Sequence, residues 1–361
     1  MKVEWRSGEQ IVCTDLRWRE VNRADVRKNG LHVTADQLPI IVLYGPTASG
    51  KSALAIGVAQ LLAEAGRPAE LITADALQIY RGMDIGTAKP SKHDQSVVPH
   101  HLIDVCDPFA SESFTVESWL IAAAELIAAM RARGVVPIIV GGTGLYVQSL
   151  LFGMFAGPKA DVALRAELAA MDPPARHQAL FAIDPVTAAR LHPSDDRRII
   201  RGIEVFRLTG VPISTLAQQW EGAPPRADAR LFILEWAKDL LSPRINARVK
   251  QMFAAGLVSE VASLCQAGEL NLQAREAIGY KQLIPLLDPR RHPERQRGWV
   301  PTEAQVDAAA EQVKIETRRL AKNQRTWARK MQLRASPRLL DAGINIQANA
   351  QLVAQSVLSS Q

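Results

Sequence analysis

The chain has 361 residues, of which 47% are apolar and 22% charged, and its Lys and Arg outnumber its Asp and Glu by 43 to 37, a net charge of +6. That length buries a large core in two domains or in one domain with an insertion, and the moderate positive excess permits a polyanionic partner without requiring one. The three cysteines, Cys13, Cys106 and Cys265, are scattered with no C-x-x-C pair, which excludes a zinc ribbon or a disulfide framework; with no apolar run of membrane-spanning length and no signal-peptide h-region, a cytoplasmic protein with no membrane contact is expected.

Residues 1–38 form an N-terminal extension in which Ile11–Thr14 and Leu31–Val33 are predicted short strands of no assigned role. Ile40–Leu43 is an apolar run that fits a buried strand. It leads into Gly45-Pro46-Thr47-Ala48-Ser49-Gly50-Lys51-Ser52, which satisfies G-x-x-x-x-G-K-[ST], and a predicted helix over Ser52–Ala65 follows. Strand, glycine loop and helix in that order are the context of a phosphate-binding P-loop. Gly45 and Gly50 let successive N–H groups face an anion, and the helix N-terminus adds its partial positive charge. Lys51 supplies a mobile cation, and Ser52 a hydroxyl ligand for Mg²⁺.

Leu71–Asp75 reads as a second strand closed by an acid, Asp75, with two equal readings: a carboxylate facing the ligand, or a cap on the long loop that runs to Pro90. A third strand is expected over His100–Val105, a helix over Phe114–Arg133 opening near Ser111 or Ser113, and a strand over Val135–Val140 that turns through Gly141-Gly142-Thr143-Gly144 into another helix. Such alternation predicts a parallel α/β sheet, with ligands beyond the carboxyl ends of its strands. The P-loop, Asp75 and Gly141–Thr143 all fall at such ends. Ile138–Val140 is followed by glycines and not by an acid, which argues against an ATPase or GTPase.

The pattern turns helical from 151 to 227, with predicted helices over Ala160–Met171, Pro174–Ile183, Pro185–Leu191 and Asp196–Thr209. Strand returns at Leu231–Leu234. Helices follow at Ser242–Ala255, closed by Gly256, at Val258–Ala267, and at Arg275–Leu287. After a charged loop over 288–301, a long helix runs over Thr302–Arg329 with Thr302 as N-cap. Residues 335–361 are a weakly patterned, partly disordered tail. The core is thus 39–150 with 228–334. The expected class is α/β: a P-loop NTPase-like parallel sheet flanked by helices, with an all-helical insertion domain. Arg244 and Arg248, four apart on one helix face, are candidates to clamp a diphosphate. Arg197, Arg198 and Arg201 form a basic cluster in the insertion. Lys314, Arg318, Lys322, Arg325 and Arg329 form a stripe on the long helix, with Val313, Leu320 and Trp327 on a different, apolar face. Such clusters in a basic P-loop protein favour a nucleic-acid partner.

The P-loop, the run Asp75-x-x-x-x-Tyr80-Arg81-Gly-Met-Asp84-Ile-Gly-Thr-Ala-Lys89-Pro90, His100-His101-Leu-Ile-Asp104, Gly141-Gly-Thr-Gly-Leu-Tyr146, Asp196-x-Arg198-x-x-Arg201-x-x-Glu204-Val205 and Ala277-Ile-Gly-Tyr280-Lys281 occur in that order. From about Pro39 to Met331 the chain resembles the bacterial tRNA dimethylallyltransferases. The resemblance implies transfer of a dimethylallyl group from dimethylallyl diphosphate to N6 of adenine 37 in the anticodon loop, with Mg²⁺; a monomer is expected. It implies Asp75 as general base, with Thr143 and Lys51 catalytic, the P-loop with Arg244 and Arg248 on the donor diphosphate, and Mg²⁺ at Ser52. It assigns tRNA contacts to Asp75, Ala76, Leu77, Gln78, Thr143, Arg165, Arg197, Arg198, Ile199, Ile200, Arg201, Glu276, Ala277, Ile278, Gly279, Tyr280 and Lys281. Ala76 departs from the family's usual Ser, Arg197 from a common Gln, and Glu276 from an Arg found in some members. Two other readings share the P-loop: an adenylate isopentenyltransferase acting on free AMP, ADP or ATP, and a nucleotide or shikimate-type kinase. A non-catalytic RNA-binding protein is the third.

Overall fold

The computed structural model describes residues 38–111, 114–154, 157–291, 301–343 and 345–359, apart from the side chains of 219–221. The strands expected at Ile11–Thr14 and Leu31–Val33, the cap at Ser113 and most of the 288–301 loop lie outside the described residues. The chain divides into two compact units: one takes the described residues through Ser149 and from Arg226 onward, the other Leu150–Pro225.

The first unit is built on β1 (Ile40–Tyr44), β2 (Ala69–Ala74), β3 (His100–His101), β4 (Val136–Gly141), β5 (Ala229–Glu235) and β6 (Arg338–Asp341). They form one sheet in the order β3-β2-β4-β1-β5-β6, parallel throughout. Every residue of β1 is fully buried, as a central parallel strand covered on both faces requires. Helices α1 (Lys51–Glu64), α2 (Lys92–Val97), α3 (Val116–Ala132) and α4 (Gly144–Phe152) alternate with the first strands. The register positions the site. Tyr44 pairs with Gly141 and Gly141 with Ala74, so β1, β4 and β2 end level, and Gly45, Gly142 and Asp75 leave the sheet together. Gly141 makes this possible, because a Cβ there would lie 2.1 Å from the Ala74 carbonyl oxygen.

Two expectations in this half are corrected. The strand over His100–Val105 stops at His101, because Leu102 and Asp104 take left-handed backbone angles (φ 60° and 58°) that leave the ladder. Asp104 instead holds the Lys89 ammonium at 2.5 Å. Helix α3 is capped by Thr115, whose hydroxyl accepts the Ser118 N–H at 3.1 Å, and not by Ser111.

The second unit is helical: α5 (Val162–Ala170), α6 (Pro173–Ile183), α7 (Pro185–Ala188), α8 (Asp196–Thr209) and α9 (Ile213–Glu221), the last not read from the sequence. Its core gathers Leu168, Leu180, Ala188, Ile199 and Ile203. Two charges are buried with partners. Arg176 donates to the Leu168 carbonyl at 3.0 Å and pairs with Asp196. Glu204 accepts from Arg165 at 2.8 and 2.9 Å, from Arg201 at 2.5 Å and from the Asp161 N–H at 2.8 Å. Burial works to raise the Glu204 pKa, but these donors outweigh it and hold the carboxyl below its ordinary 4.5. A depressed folded pKa stabilises the fold above the unfolded value, and that stability is lost as pH falls through the folded one. Glu204→Gln is therefore expected to cost about 2 kcal/mol at neutral pH. The deficit should shrink below pH 4.5. Urea midpoints of the two proteins across that range check it.

The first unit resumes with α10 (Lys238–Ala254), α11 (Leu257–Ala267), α12 (Leu272–Arg275), α13 (Tyr280–Leu287), α14 (Glu303–Ala335) and, after β6, α15 (Ile346–Leu358). Helix α10 starts a turn earlier than Ser242 and carries Pro243 inside it, at its sixth residue, where the ring removes one i→i−4 hydrogen bond. The helix expected over Arg275–Leu287 breaks in two because Gly279 takes φ 95°. Thr302 caps α14 in a capping box with Gln305, and the helix runs past Arg329 to Ala335. Its buried face is Ala309, Val313, Ala321, Gln324, Ala328 and Met331. Leu320, placed on the apolar face by its spacing, is 38% exposed. The expected disordered tail is instead structural. β6 extends the sheet beside β5, and Ala350, Val353, Ala354 and Val357 of α15 join Leu54 and Val58 of α1 in one apolar core.

Candidate active site

The P-loop occupies the end of β1. Ala48 (φ 61°) and Gly50 (φ 91°) turn the backbone into α1. The first α-helical bond there is Leu54 N–H to Gly50 O at 3.0 Å, so the amides of Lys51, Ser52 and Ala53 have no intrahelical acceptor and form an anion-binding end. The Lys51 ammonium folds back on the Pro46 carbonyl at 2.6 Å. Burial, and then the Arg248 charge, pull its pKa down to about 7, against the opposing pull of Asp75. A phosphate beside it would relieve both influences.

Arg244 touches this loop, and Arg248 lies within electrostatic range of its lysine. The Arg244 guanidinium lies 4.5 Å above the Trp236 ring, and its Nε donates to the Ala48 carbonyl at 3.1 Å. Arg248 is close enough for its charge to act on Lys51 and to be supported by Asp75. The Trp236 indole N–H in turn donates to the Ser49 carbonyl at 3.1 Å. Thr47 differs from the rest of the cradle, because its N–H is taken by the Gln324 side-chain oxygen at 2.7 Å.

Asp75 stands one strand further along the sheet edge. Its Oδ1 accepts the N–H groups of Leu77 and Gln78 at 2.9 and 3.3 Å. One oxygen caps the loop, and the other, Oδ2, is left without a hydrogen bond from the described residues. The loop is pinned on both sides of Ala76, whose N–H donates to the Thr143 hydroxyl at 3.1 Å and whose carbonyl accepts from Gln273 at 3.1 Å. The Ala76 peptide is therefore fixed through its own N–H and carbonyl, with no side-chain hydroxyl at this position. Behind the acid, Trp119 and Tyr146 stack at 4.9 Å, with the Trp119 N–H on the Thr73 carbonyl at 2.8 Å. Burial first, and then the Asp75 charge, push the Tyr146 phenol well above its ordinary range, so it stays neutral.

An anion cradle and the Asp75 carboxylate thus share one sheet edge. Known proteins carry the same arrangement of sequence. A family model described as IPP transferase matches residues 78–331. The chain belongs to the IPP transferase family. It is 41% identical over 296 residues to a tRNA dimethylallyltransferase of Geobacter sulfurreducens, covering 81% of this chain and 89% of that protein. It is 45% identical over 258 residues to one of Halorhodospira halophila, covering 69% and 81%. Among solved structures it is similar to the full-length tRNA isopentenylpyrophosphate transferase of Bacillus halodurans, with a TM-score of 0.61, 34% identity and 90% and 97% of the two chains covered. It is also similar to a eukaryotic dimethylallyltransferase acting on tRNA, with a TM-score of 0.70, 25% identity and 89% and 80% covered.

The residues of this IPP transferase assigned to tRNA are variously placed. Ile199, Ala277 and Tyr280 have buried side chains and offer no side-chain surface to an RNA. Ile200 packs against the core of the second unit. The Tyr280 hydroxyl donates to Glu260 at 2.5 Å, and the same carboxylate holds the N–H groups of Asp84, Ile85 and Gly86. Arg165 and Arg201 serve Glu204. The Gln78 amide N–H donates to Thr87 and Ala88 carbonyls. Lys281 pairs with Glu316 at 3.4 Å. Arg197, Arg198 and Glu276 are exposed. On α14, Lys314 pairs with Glu311 and Arg318 donates to Asn246, while Lys322 and Arg329 are exposed. Sequence reasoning missed Gln324, Gln273, Trp119 and Trp236. Gln324 alone carried a signal: it is an amide at helical spacing among Val313, Ala321, Ala328 and Met331.

Proposed function

We propose that this IPP transferase is a tRNA dimethylallyltransferase, moving the dimethylallyl group of dimethylallyl diphosphate to N6 of adenosine 37 with release of diphosphate. The observation that carries the reading is the level ending of β1, β4 and β2, which sets a P-loop beside the Asp75 carboxylate while β4 ends in Gly141-Gly142 and not in a water-activating acid. The P-loop amides and Lys51 stabilise the charge that builds on the departing diphosphate as the allylic C–O bond breaks, and Arg248 adds to the same field. The adenine amine is a weak nucleophile, and its nitrogen loses a proton as the C–N bond forms. Asp75 Oδ2 accepts that proton, while Oδ1 keeps the loop in place. The Thr143 hydroxyl, whose oxygen accepts from Ala76, has its own proton to donate beside the incoming base.

Among the described residues no group of three or more His, Cys, Asp and Glu forms a metal cage. Ser52 is exposed at the start of α1, and its hydroxyl would be the residue that holds Mg²⁺ there. When bound, Mg²⁺ neutralises diphosphate charge. The adenosine is extruded from the anticodon loop to reach the acid, and the exposed Arg197, Arg198, Lys322 and Arg329 hold phosphates. No helix among the described residues is long and apolar enough to cross a membrane. The reading carries with it a cytoplasmic, monomeric enzyme.

Competition between an anticodon stem-loop and AMP for labelled donor tests this reading. Label in the RNA is expected. Label in AMP alone would make the protein an adenylate isopentenyltransferase, and phosphotransfer from ATP without donor would make it a kinase.

A further inference from the structure

Gln324 lies on the buried face of α14 and is 7% exposed. It makes three contacts with the site, and none of them is to its own helix. Its side-chain oxygen accepts the Thr47 N–H at 2.7 Å. Its side-chain nitrogen donates to the Gly142 carbonyl at 3.1 Å. Its backbone carbonyl accepts the Tyr44 hydroxyl at 3.0 Å. One amide therefore spans the gap between the P-loop and the turn that carries Thr143. The fit is close: a Cβ on Gly142 would lie 2.3 Å from the Gln324 side-chain nitrogen.

We infer that Gln324 is a positioning residue of the transfer reaction, fixing the distance between the diphosphate cradle and the Thr143–Asp75 side of the site. The inference rests on the proposed prenyl transfer. Both ends of the amide are polar and opposite in sense, donor toward Gly142 and acceptor toward Thr47, so neither Glu nor Leu reproduces it. The Thr47 N–H that it occupies is withdrawn from the donor diphosphate, which leaves the cradle to the amides at the start of α1. The alignment matters because the leaving oxygen is held by the P-loop while the accepting base is placed by Thr143 and Asp75. A displacement of about 1 Å between such groups lowers a rate by about 10²-fold.

The test compares wild type with Gln324→Met, which keeps length but not polarity, and with Gly142→Ala, which pushes the amide aside from the other side. Single-turnover transfer to an anticodon stem-loop is followed at saturating donor, and stem-loop affinity is measured in parallel. The rate constant reports the folded molecules and the amplitude reports how many there are. The rate constant of Gln324→Met is expected to fall by about 10²-fold at unchanged stem-loop affinity. A merely structural role predicts a reduced amplitude with the wild-type rate constant, and that result overturns the inference. If Gln324→Met does not fold, Gly142→Ala decides by the same reading. Absence of transfer by the wild type refutes the prenyl-transfer reading itself, and the positioning role with it, whereas an active wild type with an equally fast Gln324→Met refutes only the role.

Discussion

Asp75→Asn is expected to lower the single-turnover rate of transfer by about 10³-fold, within the range for loss of a general base, while stem-loop affinity stays at the wild-type value. The choice of asparagine follows from the hydrogen bonds. Oδ1 of Asp75 accepts from Leu77 and Gln78, and the asparagine carbonyl keeps both bonds. What it loses is the basic oxygen. Asp75→Ala removes base and cap together, leaves the loop to the bonds from Thr143 and Gln273 at Ala76, and is expected to weaken stem-loop binding as well. A rate near wild type for Asp75→Asn would place the proton acceptor elsewhere.

The second large effect is at Lys51. Lys51→Met keeps the stem and removes the ammonium, and kcat/KM for the donor is expected to fall by about 10²- to 10³-fold, as for other donors to a developing anion. The wild-type pH profile carries the same information. In the free protein the Lys51 pKa is held down to about 7, chiefly by burial and then by Arg248. Its charged form is the low-pH form, so kcat/KM for the donor falls as pH rises through that value. Bound diphosphate favours the ammonium, so kcat falls only at higher pH. Lys51→Arg stays charged and removes the alkaline limb of kcat/KM. A kcat/KM profile flat above pH 7 in the wild type would contradict this account of Lys51.

Much of the site is local in sequence and could be read there. The P-loop is a strand, a glycine turn and a helix within a few residues, and Asp75 ends an apolar run. Their convergence follows from the general rule for parallel sheets. What sequence could not supply depends on partners far away in the chain. Gln324 reaches Thr47 across 277 positions. Gly141, Gly142 and Gly144 read as a turn into a helix, yet none of them has a positive φ. Each instead makes room for a distant group: the Ala74 carbonyl, the Gln324 amide and the Trp327 ring.

The C-terminal tail is misread for the same cause. The Arg338–Asp341 strand has one buried residue, Leu340, and α15 is built of small residues that pack on α1, so neither shows strong periodicity. Arg165 and Arg201, assigned to tRNA by the resemblance, also pair with Glu204, which is buried between them. Ile199, Ala277 and Tyr280 sit within motif-like runs, but the runs mix surface with core.

The most direct test of the central claim uses the purified protein, an anticodon stem-loop, dimethylallyl diphosphate and Mg²⁺, with mass analysis of the RNA and its nucleosides. The account predicts one dimethylallyl group on N6 of adenosine 37 and release of diphosphate. An unmodified RNA, together with brisk hydrolysis of a nucleoside triphosphate by the same protein, would contradict it.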